Sequence, residues 1–320
     1  MTEPIASVII PAWNAADTID AQLAAITAQK SDVAWEALVC DNGSTDSTPD
    51  RVRNWSMRDS RVRLVDASAR RGPSAARNLG ALEAHGRVIL FCDADDVVAD
   101  GWIAALLRAL DGHDIAAGEL EGRSLNTGSR YSVSWEVSGD IRLPFWPRFP
   151  AGGSGNLGVR TNVFRALGGF DELLRTGEDV DFCWRAQLAG YRFVRARDAL
   201  VHCRQRDGLL AVYRQAVAYG EGNRALRAKY SAIAAADPDA ATVADQQRSA
   251  LPDPPVEPTP ARSLLSRIAR LATPQGMADL AWRIGEARGR HREPGQSIEP
   301  LDPRLLAGRD VARGSLNMRQ

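Results

Sequence analysis

Along the first hundred positions, short unbroken apolar runs alternate with stretches whose apolar residues recur every three or four positions. Residues 7–11 (SVIIP), 37–40 (ALVC), 61–66 (RVRLVD) and 87–92 (RVILFC) read as strands, the last one buried on both faces. Between the first two, residues 16–29 place Ile19, Leu23 and Ile26 on one helical face. Further helices are expected through Val52 and Trp55 and over residues 74–84. This alternation predicts a parallel α/β sheet with helices on its faces. Such sheets bind ligands beyond the carboxyl ends of their strands.

The pattern loosens over residues 118–150, where Trp135, Phe145 and Trp146 sit among Gly, Ser and Pro, as in an aromatic loop or a set of short strands. Periodicity returns in GEDVDFCWRAQLAGYRFV, whose helix should start near Glu178 with Phe182, Ala186 and Ala189 on one face. Another helical stretch is expected over residues 209–230, which closes a first domain of residues 1–230. Residues 231–260 are rich in Ala, Asp and Pro without periodicity and read as a linker. Residues 261–292 read as two helices, each opened by Thr-Pro, a cap followed by Pro at the first helical position. Leu264, Leu265, Ile268 and Leu271 line the first; Met277, Leu280, Ala281 and Ile284 line the second. A polar tail, 293–320, follows.

Charge changes the picture at that end. The whole chain is formally neutral, yet between Ala261 and Glu293 seven arginines face three acids. Basic amphipathic helices behind a linker suit peripheral contact with an anionic membrane. The competing reading is that they pack on their own domain or on a partner subunit. Neutrality of the chain as a whole gives no electrostatic preference for nucleic acid. With 44% hydrophobic and 25% charged residues the composition is that of a soluble globular protein. No apolar run approaches the roughly 18 residues of a spanning helix, and the first residues lack the basic start and apolar core of a signal peptide. Cys40, Cys92, Cys183 and Cys203 have no zinc-like spacing, so a reducing, cytoplasmic compartment is expected.

The candidate chemistry lies at the strand ends. The apolar run Val88, Ile89, Leu90, Phe91 breaks directly into Asp93, Asp95 and Asp96, three carboxylates whose mutual repulsion is costly. Either they cap a following turn, or a divalent cation neutralises them. Polar signatures also follow two other strands, PAWN after the first and DNGSTD after the second, so three loops converge on one edge.

The segments SVIIPAWNAADTI, LVCDNGSTDST, GPSAARNLGALEAHGRVILFCDADD, GGFDE and GEDVDFCWRAQLAGY occur in that order. Together, over about residues 4–230, they resemble glycosyltransferase family 2, the inverting nucleotide-sugar transferases of the GT-A fold. Asn42 stands where the family commonly has a second Asp, and Ala94 fills the variable middle of Asp-x-Asp. The resemblance implies an α/β GT-A domain, here with a C-terminal helical appendage. It implies that Pro11, Ala12 and Asn14 line the base and ribose and that Asp41 accepts the imide N–H of uracil, favouring a UDP-sugar. Arg77 would approach the diphosphate, with Arg70, Arg71 and Asn78 nearby. Asp95 would bind Mg²⁺ or Mn²⁺, Asp93 the ribose or the metal, and His202 would complete the coordination, leaving Asp96 to cap the next turn. Asp179 would be the general base, and Glu178 would position it or the acceptor. The acceptor would be a hydroxyl of a glycan, a lipid-linked glycan or a small molecule, reached from the cytoplasm or the inner face of the plasma membrane. A homodimer is compatible with all of this. Two rival readings stay open: a catalytically silent nucleotide-sugar-binding or scaffold protein, and a nucleotidyltransferase on a similar sheet.

Overall fold

The computed structural model describes residues 3–129, 140–237, 273–292 and 300–301. The expected alternation is present: β1 (Ala6–Ala12), α1 (Ile19–Thr27), β2 (Trp35–Asp41), α2 (Thr48–Arg58), β3 (Val62–Asp66), α3 (Pro73–Glu83) and β4 (Val88–Cys92). Next come β5 (Val97–Val98), α4 (Trp102–Ala109) and β6 (Ile115–Glu121). The hairpin β7 (Ile141–Leu143) and β8 (Trp146–Ala151) then leads to β9 (Asn156–Arg160) and α5 (Thr161–Ala166). The described chain ends with α6 (Glu178–Leu188), β10 (Phe193–His202), α7 (Leu209–Ala236) and α8 (Pro274–His291).

The main sheet has the order β3-β2-β1-β4-β9-β6-β10-β5. It is mixed rather than all parallel, because β9 runs antiparallel to both β4 and β6, and β5 antiparallel to β10. Reversal at β9 brings its first residue, Asn156, beside Cys92 at the carboxyl end of β4. The loop before β9 therefore reaches the edge where β1, β2 and β4 all end.

Alternation along β1 divides the core into two layers. Val8 and Ile10 pack with Ile19, Leu23 and Ile26 of α1 and with Trp102 and Leu106 of α4. Ile9 packs on the other face with Ala76 of α3, Phe164 of α5 and Phe182 and Trp184 of α6. That second layer continues into a nest of rings in which Trp146 and Trp184 both lie against Tyr230 of α7. The aromatic stretch expected to be irregular is thus partly core: Trp146 is fully buried, and Trp184 donates from Nε1 to the Phe149 carbonyl at 2.9 Å. Trp135 lies outside the described residues.

At the C-terminal end, α7 runs past the expected boundary at 230 to Ala236. Asp237 stays buried there, bonded to Trp146 Nε1 at 2.9 Å and ion-paired with Arg148. The first of the two expected basic helices, and all but the first seven residues of the expected linker, lie outside the described residues. The second is α8, and Thr273 caps it by accepting from Gly276 N at 3.0 Å. It packs along α7 through glycines: a Cβ on Gly285 would lie 2.6 Å from the Tyr213 carbonyl, and one on Gly289 would strike that of Val217. Backbones this close require the absence of a side chain. Among the described residues no helix is long and apolar enough to cross a membrane.

Candidate active site

The nucleotide end is built from two loops tied to each other. After β1 ends at Ala12, in register with Asp41, Asn14 adopts a left-handed conformation (φ 50°) that its side chain tolerates. Asn14 Oδ1 accepts from Thr45 N at 2.8 Å, and Asn14 N donates to Ser44 Oγ at 2.9 Å. Asp41, buried at the end of β2, accepts from Ser44 N with Oδ2 at 3.1 Å, while its buried Oδ1 has no partner among the described residues. Asn42 shows why an amide suits this position. It donates to the carbonyls of Ala67 and Arg70 at 2.6 and 2.8 Å and accepts from Gly72 N at 2.8 Å. A carboxylate could not donate those two bonds.

Gln22 of α1 fixes the loop after β4, donating to the Asp93 carbonyl at 2.8 Å and accepting from Val98 N at 3.0 Å. Asp93, Asp95 and Asp96 each bring an oxygen within 4.8 Å of the others. Asp96 does not cap the next turn; its Oδ1 reaches across to Arg204 N, just beyond β10, at 2.8 Å. Burial, and after it the charges of Asp93 and Asp95, push the Asp96 carboxyl up to about 8. Burial, followed by Asp93, also raises Asp95, which Arg206 and Arg204 partly offset. A Cβ on Gly155 would come to 3.0 Å from Asp93 Oδ2, so the loop before β9 closes on the acids only because it has none there. Three carboxylates this close, two of them raised by burial and by their neighbours' charge, fit a hard divalent cation with oxygen ligands.

The second acid group opens α6. Arg77 of α3, only 4% exposed, donates to Asp93 Oδ1 at 2.6 Å and to Glu178 Oε1 at 3.2 Å. One guanidinium thus joins the strand-end acids to the helix-start acids, and a charge so deeply buried is tolerable because both partners are anions. Its side-chain partners are these carboxylates, and its Nε has no partner among the described residues. Burial and the neighbouring Asp179 push Glu178 up to about 7, with Arg77 opposing. Asp179 is half-buried, and burial raises it too, against the N–H groups of Ser154 and Val180, which donate to it at 3.0 and 2.8 Å. Asp181, by contrast, is fully buried and bonded to Arg185, Lys229 and Tyr230.

His202 ends β10 opposite Val97, and its Nδ1 lies 2.8 Å from Glu121 Oε2; it is not among the three clustered carboxylates. Arg70 pairs with Glu172 at 3.0 Å, and Asn78 is bonded to Glu172 and to the Phe170 backbone. Sequence reading missed Ser154, Gln22, Arg204 and Arg206. For Ser154 the signal was a Gly-Gly-Ser-Gly run before a strand, and for the arginines an Arg-x-Arg directly after one; Gln22 left no signal beyond a polar residue on an apolar helix face.

Residues 7–175, more than half of the chain, match Glycosyl transferase family 2. The chain belongs to that family. Among curated relatives it is 31% identical over 205 residues to glycosyltransferase AglE of Haloferax volcanii, covering 62% of this chain and 66% of that one. It is 38% identical over 108 residues to the UDP-Glc:alpha-D-GlcNAc-diphosphoundecaprenol beta-1,3-glucosyltransferase WfgD of Escherichia coli, covering 34% and 40%. The matches thus span less than two thirds of these relatives' own lengths. Among solved structures, the mannosyltransferase PcManGT of Pyrobaculum calidifontis, in complex with GDP-Man and Mn²⁺, superposes with a TM-score of 0.58 at 19% identity, covering 91% of this chain and 88% of that one. GalNAc-T7 with UDP, GalNAc and Mn²⁺ gives 0.52 at 16% identity, covering 64% and 44%. These likenesses establish the GT-A fold for the family member described here.

Proposed function

We propose that this protein transfers a sugar from a nucleoside diphosphate donor to an acceptor hydroxyl, with inversion at the anomeric carbon. Arg77 carries the reading: by bridging Asp93 and Glu178 it makes the two acid groups face one space. Asp41 Oδ1, buried without a partner among the described residues, suits the imide N–H of uracil and supports a UDP-sugar. Asp95 and Asp93 would hold Mg²⁺ or Mn²⁺, as the Mn²⁺ in the two superposed structures encourages; His202, opposite Val97 and bonded through Nδ1 to Glu121, would be tested as a further ligand. When bound, the metal supplies stabilisation of charge on the leaving diphosphate. Arg204 and Arg206, whose charges already act on Asp95, lie where that diphosphate needs cations.

Asp179 takes the proton of the acceptor hydroxyl as its oxygen attacks from the face opposite the leaving group. A carboxylate raised by burial is a stronger base than an exposed one, and the Ser154 and Val180 N–H groups keep it oriented. Glu178 holds Arg77 in place. A silent binding module would need neither feature.

The acceptor in this reading is a lipid-linked glycan, as the name of WfgD states for that relative. The face of α8 turned away from α7 supports it: Met277, Leu280 and Ile284 are 37%, 42% and 53% exposed in one stripe, with Arg283 and Arg288 beside it. That pattern suits the surface of an anionic membrane. Liposome flotation checks it: Leu280→Glu with Ile284→Glu should lose salt-sensitive flotation on anionic vesicles, and a wild-type chain that never floats at low salt overturns the membrane reading.

The transfer reading is tested by thermal shift with a panel of nucleoside diphosphates, each with and without Mn²⁺. UDP with Mn²⁺ should stabilise more than either alone, reaching about 2.7 kcal/mol above the ligand-free protein at a hundredfold excess over Kd. No response to any nucleotide overturns the reading.

A further inference from the structure

Beside α7, between it, the β7–β8 hairpin and α8, lies a recess of about 230 Å³ that the chemistry above does not use. Phe145, Asn223, Arg224, Arg227, Glu286 and Arg290 line it. The three guanidinium groups are not equally satisfied. Arg290 is paired with Glu286 at 2.9 Å. Arg227 stacks over the Phe145 ring at 4.9 Å, an arrangement that occupies the face of the guanidinium and leaves the N–H edge available. Arg224 has no hydrogen-bond or ion-pair partner among the described residues, and its Nε is buried. A buried guanidinium donor without an acceptor is costly, and it marks a place where an acceptor belongs.

We propose that this recess is an anion site that takes a phosphate or diphosphate group of the acceptor, a proposal that rests on the transfer reading above. Charge selects the ligand class. Three arginines less one glutamate leave a net of two positive charges, which matches the roughly −1.5 to −2 of a phosphate group and exceeds a single carboxylate. Guanidinium forks are also the groups that recognise phosphate oxygens bidentately. Position selects the acceptor rather than the donor. Asn223 follows Tyr219 by one turn of α7, about 6 Å along the axis. The same stretch of α7 packs on the chain just before the helix-start acids: Thr176 Oγ1 donates to the Ala218 carbonyl at 2.7 Å, and a Cβ on Gly177 would come to 2.8 Å from Leu226. A diphosphate held in the recess would therefore sit beside the segment that leads into Glu178 and Asp179.

Calorimetry on the full chain, saturated with UDP in EDTA, tests this with two probes, inorganic pyrophosphate and farnesyl diphosphate. Both should bind the wild type, and Arg224→Gln with Arg227→Gln should weaken both by about tenfold or more. Tighter binding of the farnesyl probe assigns the site to a lipid-linked phosphate; equal binding assigns it to the phosphate group whatever carries it. Absence of binding to the wild type, or unchanged affinity in the double variant, overturns the proposal. The thermal shift given by UDP with Mn²⁺ should be the same in both proteins, which verifies folding. Its loss from both would count against the transfer reading, not against the recess.

Discussion

Two groups of carboxylates meet at this site and are held by opposite means. At the end of β4, Asp93, Asp95 and Asp96 crowd within 4.8 Å of one another, and Arg77 reaches only the first. At the start of α6, Glu178 and Asp179 are neighbours in sequence but have separate partners, Arg77 for one and two backbone N–H groups for the other. The strand-end group is left with excess negative charge, which a cation can balance. The helix-start group shares its one cation, Arg77, with Asp93, and its second carboxylate, Asp179, is held by backbone N–H groups. Similar residues thus acquire different chemistry from what surrounds them.

The widest separation of the two groups comes from Asp179→Asn. Turnover should fall by about 10²–10⁴-fold, the usual contribution of a general base, while Mn²⁺-dependent nucleotide affinity, read by calorimetry, stays as in the wild type. Near-normal turnover would move the base elsewhere, with Glu178 the next candidate. Asp95→Asn reverses the contrast: Mn²⁺ should no longer raise nucleotide affinity, and the metal-free melting temperature should not fall, since a mutual repulsion has been removed. Retention of the Mn²⁺ effect would separate the acid cluster from the metal.

The smallest effect concerns Glu178 and is read as stability against pH in metal-free protein. Its carboxyl is raised to about 7 in the folded chain from an ordinary 4.5. Below that window both states are protonated. Within it the unfolded chain releases the proton first, so the folded state holds more protons and loses stability as pH rises. Above about 7 the loss is complete. Glu178→Gln should flatten this part of the melting-temperature profile, and an unchanged slope would show that Arg77 holds Glu178 ionised throughout.

Much of the donor side was legible before the fold was known. Strands β1 to β4 were visible as apolar runs, and the loops after three of them carried PAWN, DNGSTD and DADD, because residues that end a sheet ladder and bind polar ligands must be local to the strand that presents them. The apolar pattern singles out neither the short helix α4 nor β9; the sequence NLGV of β9 carries little β signal of its own and is made a strand by β4 and β6 on either side.

What the sequence by itself determined was the order of elements, the family, and which carboxylates stand at strand and helix ends; local period and turn chemistry suffice for that. Only the tertiary structure decided how those groups are wired. Arg77 lies 101 positions from the Glu178 it holds, and Asp96 lies 108 from the Arg204 whose N–H it accepts. The same holds for α8, whose stripe of apolar residues resembles a packing face in sequence but is turned to solvent, while its glycines make the contact with α7. Close approach of two helical backbones is governed by where side chains are absent, and hydrophobic periodicity does not register an absence.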